Sequence, residues 1–148
     1  MGKPLVTVAV PSFNQGRFLD DALSSIFQQE LPVEVFVVDG GSTDNSVDVI
    51  KKWAPQLAGW RSRADDGQAA AINEGIAMGS APFVCWLNSD DWLLPGGLKT
   101  LFAALQECSQ APAVYGRSWN VVHSTGKRSP VWVEPFDEAR LTLRCIIS

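Results

Sequence analysis

Through roughly its first hundred residues the chain alternates short apolar runs with helix-period segments. That alternation points to an α/β fold, a largely parallel central sheet flanked by helices. Leu5-Val6-Thr7-Val8-Ala9-Val10 reads as a first strand that stops at Pro11, and Ser12 to Gly16 as the loop after it. Phe18, Leu19, Ala22, Leu23, Ile26 and Phe27 then form an apolar stripe at helical spacing. Val33 to Val38 is a second strand, β-branched and aromatic except for Glu34. Ser42 or Asp44 can cap a helix holding Val47, Val49, Ile50 and Trp53, which Pro55 ends. Trp60 to Ala64 is a weaker third strand, and a helix with Ala69, Ile72 and Ile76 on one side follows Gly67. Phe83-Val84-Cys85-Trp86-Leu87 is short, branched and aromatic, the pattern of a fully buried strand.

The last third is less regular. Leu98 to Leu105 has helical period, Ala113 to Gly116 and Trp119 to Val122 are strand-like, and Ser124 to Lys127 is a hairpin turn leading to Val131-Trp132-Val133. After Pro135 the span from Phe136 to Ile147 fits a helix. With 148 residues and no linker or repeat, residues 1–148 are expected to form one domain.

Acids cluster at the strand ends. Asp39 follows the second strand, Asp65-Asp66 the third and Asp90-Asp91 the fourth, and parallel strands bring their carboxyl ends to one edge, where open α/β sheets bind ligands. Asp90 and Asp91 supply hard oxygen ligands, with neutral oxygens from Asn88 and Ser89, a set that suits Mg²⁺ or Mn²⁺ bridged to a substrate phosphate. Each acid also has a plainer reading: Asp39 and Asn88 to Asp91 as turn formers, Asp66 as a helix N-terminal charge.

Composition removes several classes. The net charge of −4 comes without a basic stripe, so no nucleic-acid partner is expected. No run approaches the roughly 18 apolar residues of a membrane span, no long apolar leader opens the chain, and the cytoplasm is the default location. The three cysteines, at 85, 108 and 145, suggest neither a disulfide framework nor a zinc site. Between Pro11 and Gly16 there is one glycine, which argues against a dinucleotide fingerprint, and no P-loop is present. His123 is the only histidine and falls in the hairpin, away from the acidic loops.

Four segments in order resemble the family 2 glycosyltransferases of GT-A fold, inverting enzymes that use nucleotide sugars. They are Val10-Pro11-Ser12-Phe13-Asn14; Val38-Asp39-Gly40-Gly41-Ser42-Thr43-Asp44; Asp66-Gly67-Gln68 with Asn73-Glu74-Gly75; and Leu87-Asn88-Ser89-Asp90-Asp91. The resemblance implies a Rossmann-like GT-A fold, a nucleoside diphosphate sugar as partner, UDP-sugars favoured, and a divalent metal, Mn²⁺ or Mg²⁺, as cofactor. It implies that Pro11, Phe13, Asn14 and Asp39 hold the nucleoside, Phe13 by stacking on the base and Asp39 by accepting a base N–H. Asp66, Gly67 and Asn73 would line the donor pocket. Asn88-Ser89-Asp90 occupies the family's Asp-x-Asp metal motif, with Asp90, backed by Asp91, as metal ligand.

The chain departs from the family in two places. Asn88 stands where many members have the first Asp of the metal motif. No segment after Asp91 presents a carboxylate beside a strand end as the acceptor-side general base; Glu134, Asp137 and Glu138 lie in a proline-punctuated stretch. The expectation is therefore a truncated domain: the nucleotide-sugar-binding part of a transferase, its catalytic base outside the chain and its acceptor, a glycan or lipid, undetermined. The alternative is a non-catalytic nucleotide-sugar-binding or interaction module. Leu141, Leu143, Ile146 and Ile147 would expose apolar surface and favour self-association.

Overall fold

The computed structural model describes residues 2–108 and 110–131. The chain divides into two compact units, Met1–Thr100 and Leu101–Ser148. The first is built on a parallel sheet in the order β3-β2-β1-β4, formed by β1 (Val6–Ser12), β2 (Val33–Asp39), β3 (Gly59–Ser62) and β4 (Phe83–Trp86). Between the strands run α1 (Gly16–Phe27), α2 (Ser46–Trp53) and α3 (Gln68–Ala77), and α4 (Gly97–Glu107) follows β4.

β1 and β2 are central because they can be buried on both faces. Val8, Val10, Val35 and Val37 point to one side, and with Leu19, Leu23, Ile26 and Ile50 they are fully buried. α1 and α2 meet through a stacked Phe27–Trp53 pair with ring centroids 5.4 Å apart. Asp20 Oδ1 accepts hydrogen bonds from Trp53 Nε1 and Lys52 Nζ, both at 2.7 Å. The other face carries Thr7, Ala9, Phe36 and Val38, and here α3 lies unusually close. A Cβ at Gly75 would stand 2.8 Å from the Cβ of Ala9, and one at Gly79 would collide with Thr7. The buried face of α3 is thus Ala71 and Gly75, not the side holding Ala69, Ile72 and Ile76: the isoleucines are half-buried and Ala69 is exposed. Small residues face the sheet because the helix has no room for large ones.

Glu34, the acid in an otherwise apolar strand, anchors the turn between α3 and β4. It accepts from Thr7 Oγ1 and the Ala81 N–H, both at 2.7 Å, and from the Ser80 N–H and hydroxyl. Burial pushes its carboxyl up, but these hydrogen bonds outweigh burial and hold it below the usual range.

Three strand expectations need correction. β1 continues through Pro11 to Ser12. The Leu87 N–H donates to the Ala9 carbonyl, and the next donor of that parallel ladder would be the N–H of residue 11, which proline lacks; pairing with β4 therefore ends at Ala9 and Trp86, while pairing with β2 runs on to Ser12 and Asp39. β4 is not buried on both faces: Val84 and Trp86 are 53% and 58% exposed. It is the terminal strand of the sheet, and its residues alternate between half-buried and exposed. In the second unit, β5 (Trp119–Val121) pairs antiparallel with β6 (Arg128–Pro130), and the Val131 N–H donates to the Ser118 carbonyl at 2.9 Å. The Val122 N–H closes the turn onto the Lys127 carbonyl, so the ladder resumes at Arg128. Ala113 to Gly116 forms no strand, and His123 is exposed in the hairpin turn.

Trp132 and Val133, the helix expected from Phe136 to Ile147 with its apolar residues, and Glu134, Asp137 and Glu138 lie outside the described residues. Among the described residues no helix is long and apolar enough to cross a membrane.

Because the Ala9 methyl sits on a central strand and cannot move aside, Gly75→Ala should lower stability by about 1–3 kcal/mol in urea denaturation. Ala69→Ser, on the exposed side of the same helix, should stay within about 0.5 kcal/mol of the parent.

Candidate functional site

The loops at the carboxyl edge of the sheet are joined to one another by side chains. Ser12 C=O accepts from the Gly40 N–H at 2.8 Å, extending the β1–β2 ladder one step into the loops. Asn14 has a positive φ of 53°, a conformation asparagine tolerates better than most residues. In that position its N–H donates to Ser42 Oγ and its Oδ1 accepts from the Thr43 N–H, both at 2.8 Å. The first loop is thereby sewn to the second.

Asp39 organises the second loop. Its carboxylate is fully buried; Oδ2 accepts from the Gly41 N–H (3.1 Å), the Ser42 N–H (2.9 Å) and Ser62 Oγ (2.6 Å), and Oδ1 accepts from Ser42 Oγ. The turn needs Gly41, whose φ is +84° and whose missing Cβ would stand 3.1 Å from the Ala64 nitrogen. Asp44, further along, ties two helix starts together: its Oδ2 accepts from the Gly16 N–H at 3.0 Å and its Oδ1 from the Ser46 N–H at 2.9 Å and from the Ser46 hydroxyl. Burial pushes the Asp44 carboxyl up, yet the Ser46 and Gly16 hydrogen bonds prevail and its pKa lies below the usual range. Of the two capping candidates it is Asp44, not Ser42, that accepts from the first N–H of α2, one residue ahead of the N-cap Asn45, whose side chain makes no capping hydrogen bond.

Arg61 is a hub absent from the sequence-based site. On β3, opposite Val38, it makes a bidentate pair with Glu74 of α3 (Nε–Oε1 3.0 Å, Nη2–Oε2 2.6 Å). Its Nη1 donates to the Asp39 carbonyl at 2.6 Å, the Arg63 carbonyl at 2.9 Å and Asp65 Oδ2 at 3.1 Å. The Arg61 hydrogen bonds hold the Glu74 carboxyl below its ordinary value, against a smaller push from burial. A readable signal existed: a charged residue in a strand position beneath a helix requires a carboxylate, and Glu74 lies on that helix.

The third acidic pair divides. Asp65 is the member turned inward, with Oδ1 accepting from the Gly67 N–H at 2.9 Å; a Cβ on Gly40 would lie 3.4 Å from that Oδ1 and 3.3 Å from the Phe13 ring. Phe13, Gly40 and Asp65 are therefore neighbours. Asp66 and Asn73 are exposed, and among the described residues their side chains make no hydrogen bond. Gly67 has φ +97° at the start of α3.

At the fourth strand end Ser89 is buried, while Asp90 and Asp91 are exposed. Asn88 Oδ1 accepts from Gln68 Nε2 at 2.7 Å, and Asn88 Nδ2 donates to Asp91 Oδ2 at 3.1 Å. Among the described residues the Asp90 side chain has no partner, and no three His, Cys, Asp or Glu side chains group closely enough to hold a metal by themselves. The loop after Asp91 is seated on α1: the Leu93 N–H donates to Ser25 Oγ, while buried Gln29 donates to the Leu94 carbonyl and accepts from the Leu98 N–H. Ser12 Oγ, buried at the tip of β1, has no hydrogen-bond partner among the described residues. Cys85 is unsuited to chemistry, since burial pushes its thiol up to about 11.

The family model described as glycosyl transferase family 2 matches residues 7–144. The chain is 30% identical to Glycosyltransferase GlyG of Streptococcus pneumoniae serotype 4, over 82% of this chain and 42% of that protein. It is 31% identical to a PGL/p-HBAD biosynthesis glycosyltransferase of Mycobacterium tuberculosis, over 97% of this chain and 56% of that protein. Among solved structures it is similar to S. aureus TarS 1-349 in complex with UDP-GlcNAc, with TM-score 0.62 and 27% identity over 70% of this chain and 31% of that one. It is also similar to the mannosyltransferase PcManGT from Pyrobaculum calidifontis in complex with GDP-Man and Mn²⁺, with TM-score 0.62 and 27% identity over 79% of this chain and 35% of that one. The chain thus spans 31–56% of the length of these proteins.

The depressed carboxyls set a pH dependence. Asp44 and Glu74 are easier to ionise folded than unfolded, so their contribution is complete above their ordinary values, 3.8 and 4.5, and is lost as pH falls through the lower folded values. Urea midpoints should hold level from pH 7 to about 5 and fall below about 4.5, and Glu74→Gln should flatten the upper part of that fall.

Proposed function

The chain belongs to glycosyl transferase family 2, and from that membership we propose that it binds a nucleoside diphosphate sugar across its strand-end loops as the donor-binding part of an inverting transferase. The sheet and helices form the Rossmann-like α/β arrangement of its GT-A structural neighbours. One observation carries the proposal: hydrogen bonds join the four family motifs in turn along one sheet edge, Asn14 to Ser42 and Thr43, the Asp39 carbonyl through Arg61 to Glu74, and Gln68 to Asn88.

In this reading Phe13, 61% exposed beside Gly40, stacks on the base, with Pro11 and Asn14 shaping the rest of the nucleoside cradle. Asp39 is fully buried and bonded to Gly41, Ser42 and Ser62, so its contact with a base N–H would use Oδ1 once the Ser42 hydroxyl turned away. Asp66, Gly67 and Asn73 border the sugar, joined by Asp65, and Asn88, Ser89 and Asp90 border the diphosphate. UDP-sugars remain the favoured donors; the solved relatives are complexes with UDP-GlcNAc and GDP-Man.

The donor set fits a divalent ion. Two hard carboxylates, one unpartnered, are what Mg²⁺ or Mn²⁺ takes when substrate phosphates supply the remaining oxygens. Held by Asp90 and Asp91, such an ion would offset the charge on the departing diphosphate as a Lewis acid. The acceptor hydroxyl attacks the anomeric carbon from the face opposite the diphosphate, inverting that carbon, and gives its proton to a carboxylate base. We place that base, and the glycan or lipid acceptor site, outside this chain. The cytoplasm is the compartment proposed with this reading. By itself the chain would then act as a nucleotide-sugar-binding module, a second reading favoured by its covering 31–56% of its relatives.

Calorimetry tests the donor site. UDP should strengthen Mn²⁺ binding, Asp90→Ala should abolish that coupling, and Phe13→Ala should weaken UDP by roughly 5- to 150-fold, the worth of one aromatic–base stack. Equal Mn²⁺ affinity with and without UDP would refute a shared site. In a donor-release assay with Mn²⁺, UDP- and GDP-sugars and candidate acceptors, the 148-residue chain should bind donor yet turn over near background, since an absent base forfeits about 10²- to 10⁴-fold. Robust transfer would put the base among Glu134, Asp137 and Glu138.

A further inference from the structure

We infer that Gln68 is a positioning residue for the acidic pair, acting through Asn88, an inference that rests on the donor and metal reading of this edge. Asp91 can only accept hydrogen bonds, so the Asn88 amide must turn its nitrogen toward it, as the 3.1 Å Nδ2–Oδ2 contact has it. That leaves Asn88 Oδ1 facing away and in need of a donor, which Gln68 Nε2 provides at 2.7 Å. Donation therefore runs one way, from Gln68 to Asn88 to Asp91, and the orientation of each amide follows from the next group. The Asp91 N–H donates back to the Asn88 carbonyl at 3.1 Å and closes the turn.

Gln68 is suited to this because it opens α3, the helix most tightly seated on the sheet. Ala71 and Gly75 are buried against it, and Arg61 clamps Glu74. Asp91, exposed on a loop, is thus referred through two amides to the rigid part of the fold. Asn88 serves as a donor that orients a carboxylate, and an aspartate there would bring a second negative charge to Asp91 in place of that donor. Asp90, without a partner among the described residues, stays open to a cation. The two acids consequently differ: one is held, the other is free.

Two measurements test the relay on the whole chain. In metal-free protein, side-chain amide NMR signals should move along the series: Asp91→Ala should shift those of both Asn88 and Gln68, and Gln68→Leu those of Asn88. Calorimetry with UDP present should show Gln68→Leu weakening Mn²⁺ by roughly 3- to 10-fold, about the worth of one hydrogen bond, with UDP affinity in the absence of metal unchanged. A Gln68 signal indifferent to Asp91→Ala would overturn the relay. Signals that move while Gln68→Leu holds Mn²⁺ as tightly as the parent would reduce Gln68 to a packing residue and overturn the positioning role. A parent chain that takes up no Mn²⁺ even beside UDP would instead overturn the metal reading, and the amide signals would still report whether the relay exists.

Discussion

The carboxylate of Asp39 is the interaction on which this sheet edge depends. Among the described residues it is the one fully buried acid, and a buried charge is tolerable only when hydrogen bonds replace its water. Four do so here, from the Gly41 and Ser42 amides, the Ser42 hydroxyl and the Ser62 hydroxyl at the end of β3. Its carbonyl is used as well, by the Arg63 N–H and by Arg61. One residue thus bends the second loop, joins it to the third strand and receives the guanidinium that continues to Asp65 and Glu74. Ser42, once placed by Asp39, holds Asn14 and with it the first loop.

The close seat of α3 extends that order to the fourth strand end. With glycines at 75 and 79 the helix lies almost on the backbone of β1, near enough for Glu74 to grip Arg61 with both oxygens and for Gln68 to reach Asn88. A bulkier residue at either glycine would lift the helix and lengthen both contacts. Small residues beneath a helix are a packing matter; here they also decide whether two polar links across the site can form.

How much of this the sequence disclosed varies with the length scale of the physics. In the first hundred residues strand and helix existence was legible, since continuous β-branched runs and a 3.6-residue apolar period depend only on neighbours along the chain. The helical face of α3 was not, because it was read from large apolar residues where the sheet accepts only small ones. The exposure of Val84 and Trp86 escaped notice because a strand's composition does not say whether it lies inside a sheet or at its end. Which of Asp65 and Asp66 turns inward, and the partners of Arg61, are not legible for a related reason: adjacent aspartates look alike in sequence, and an arginine in a strand declares no partner.

Within the first hundred residues the sequence alone determined the order of strands and helices, the helix after Gly67, and the placing of acids at or just beyond strand ends. These follow from local steric and hydrophobic preferences, and the ordered motifs built on them identify the family. Only the tertiary structure decided which acid is buried, which is clamped and which is open. A carboxylate's state depends on donors brought from far along the chain: Ser62 to Asp39, Gly16 to Asp44, Arg61 to Asp65, and Gln68 through Asn88 to Asp91, while Asp90 receives none among the described residues.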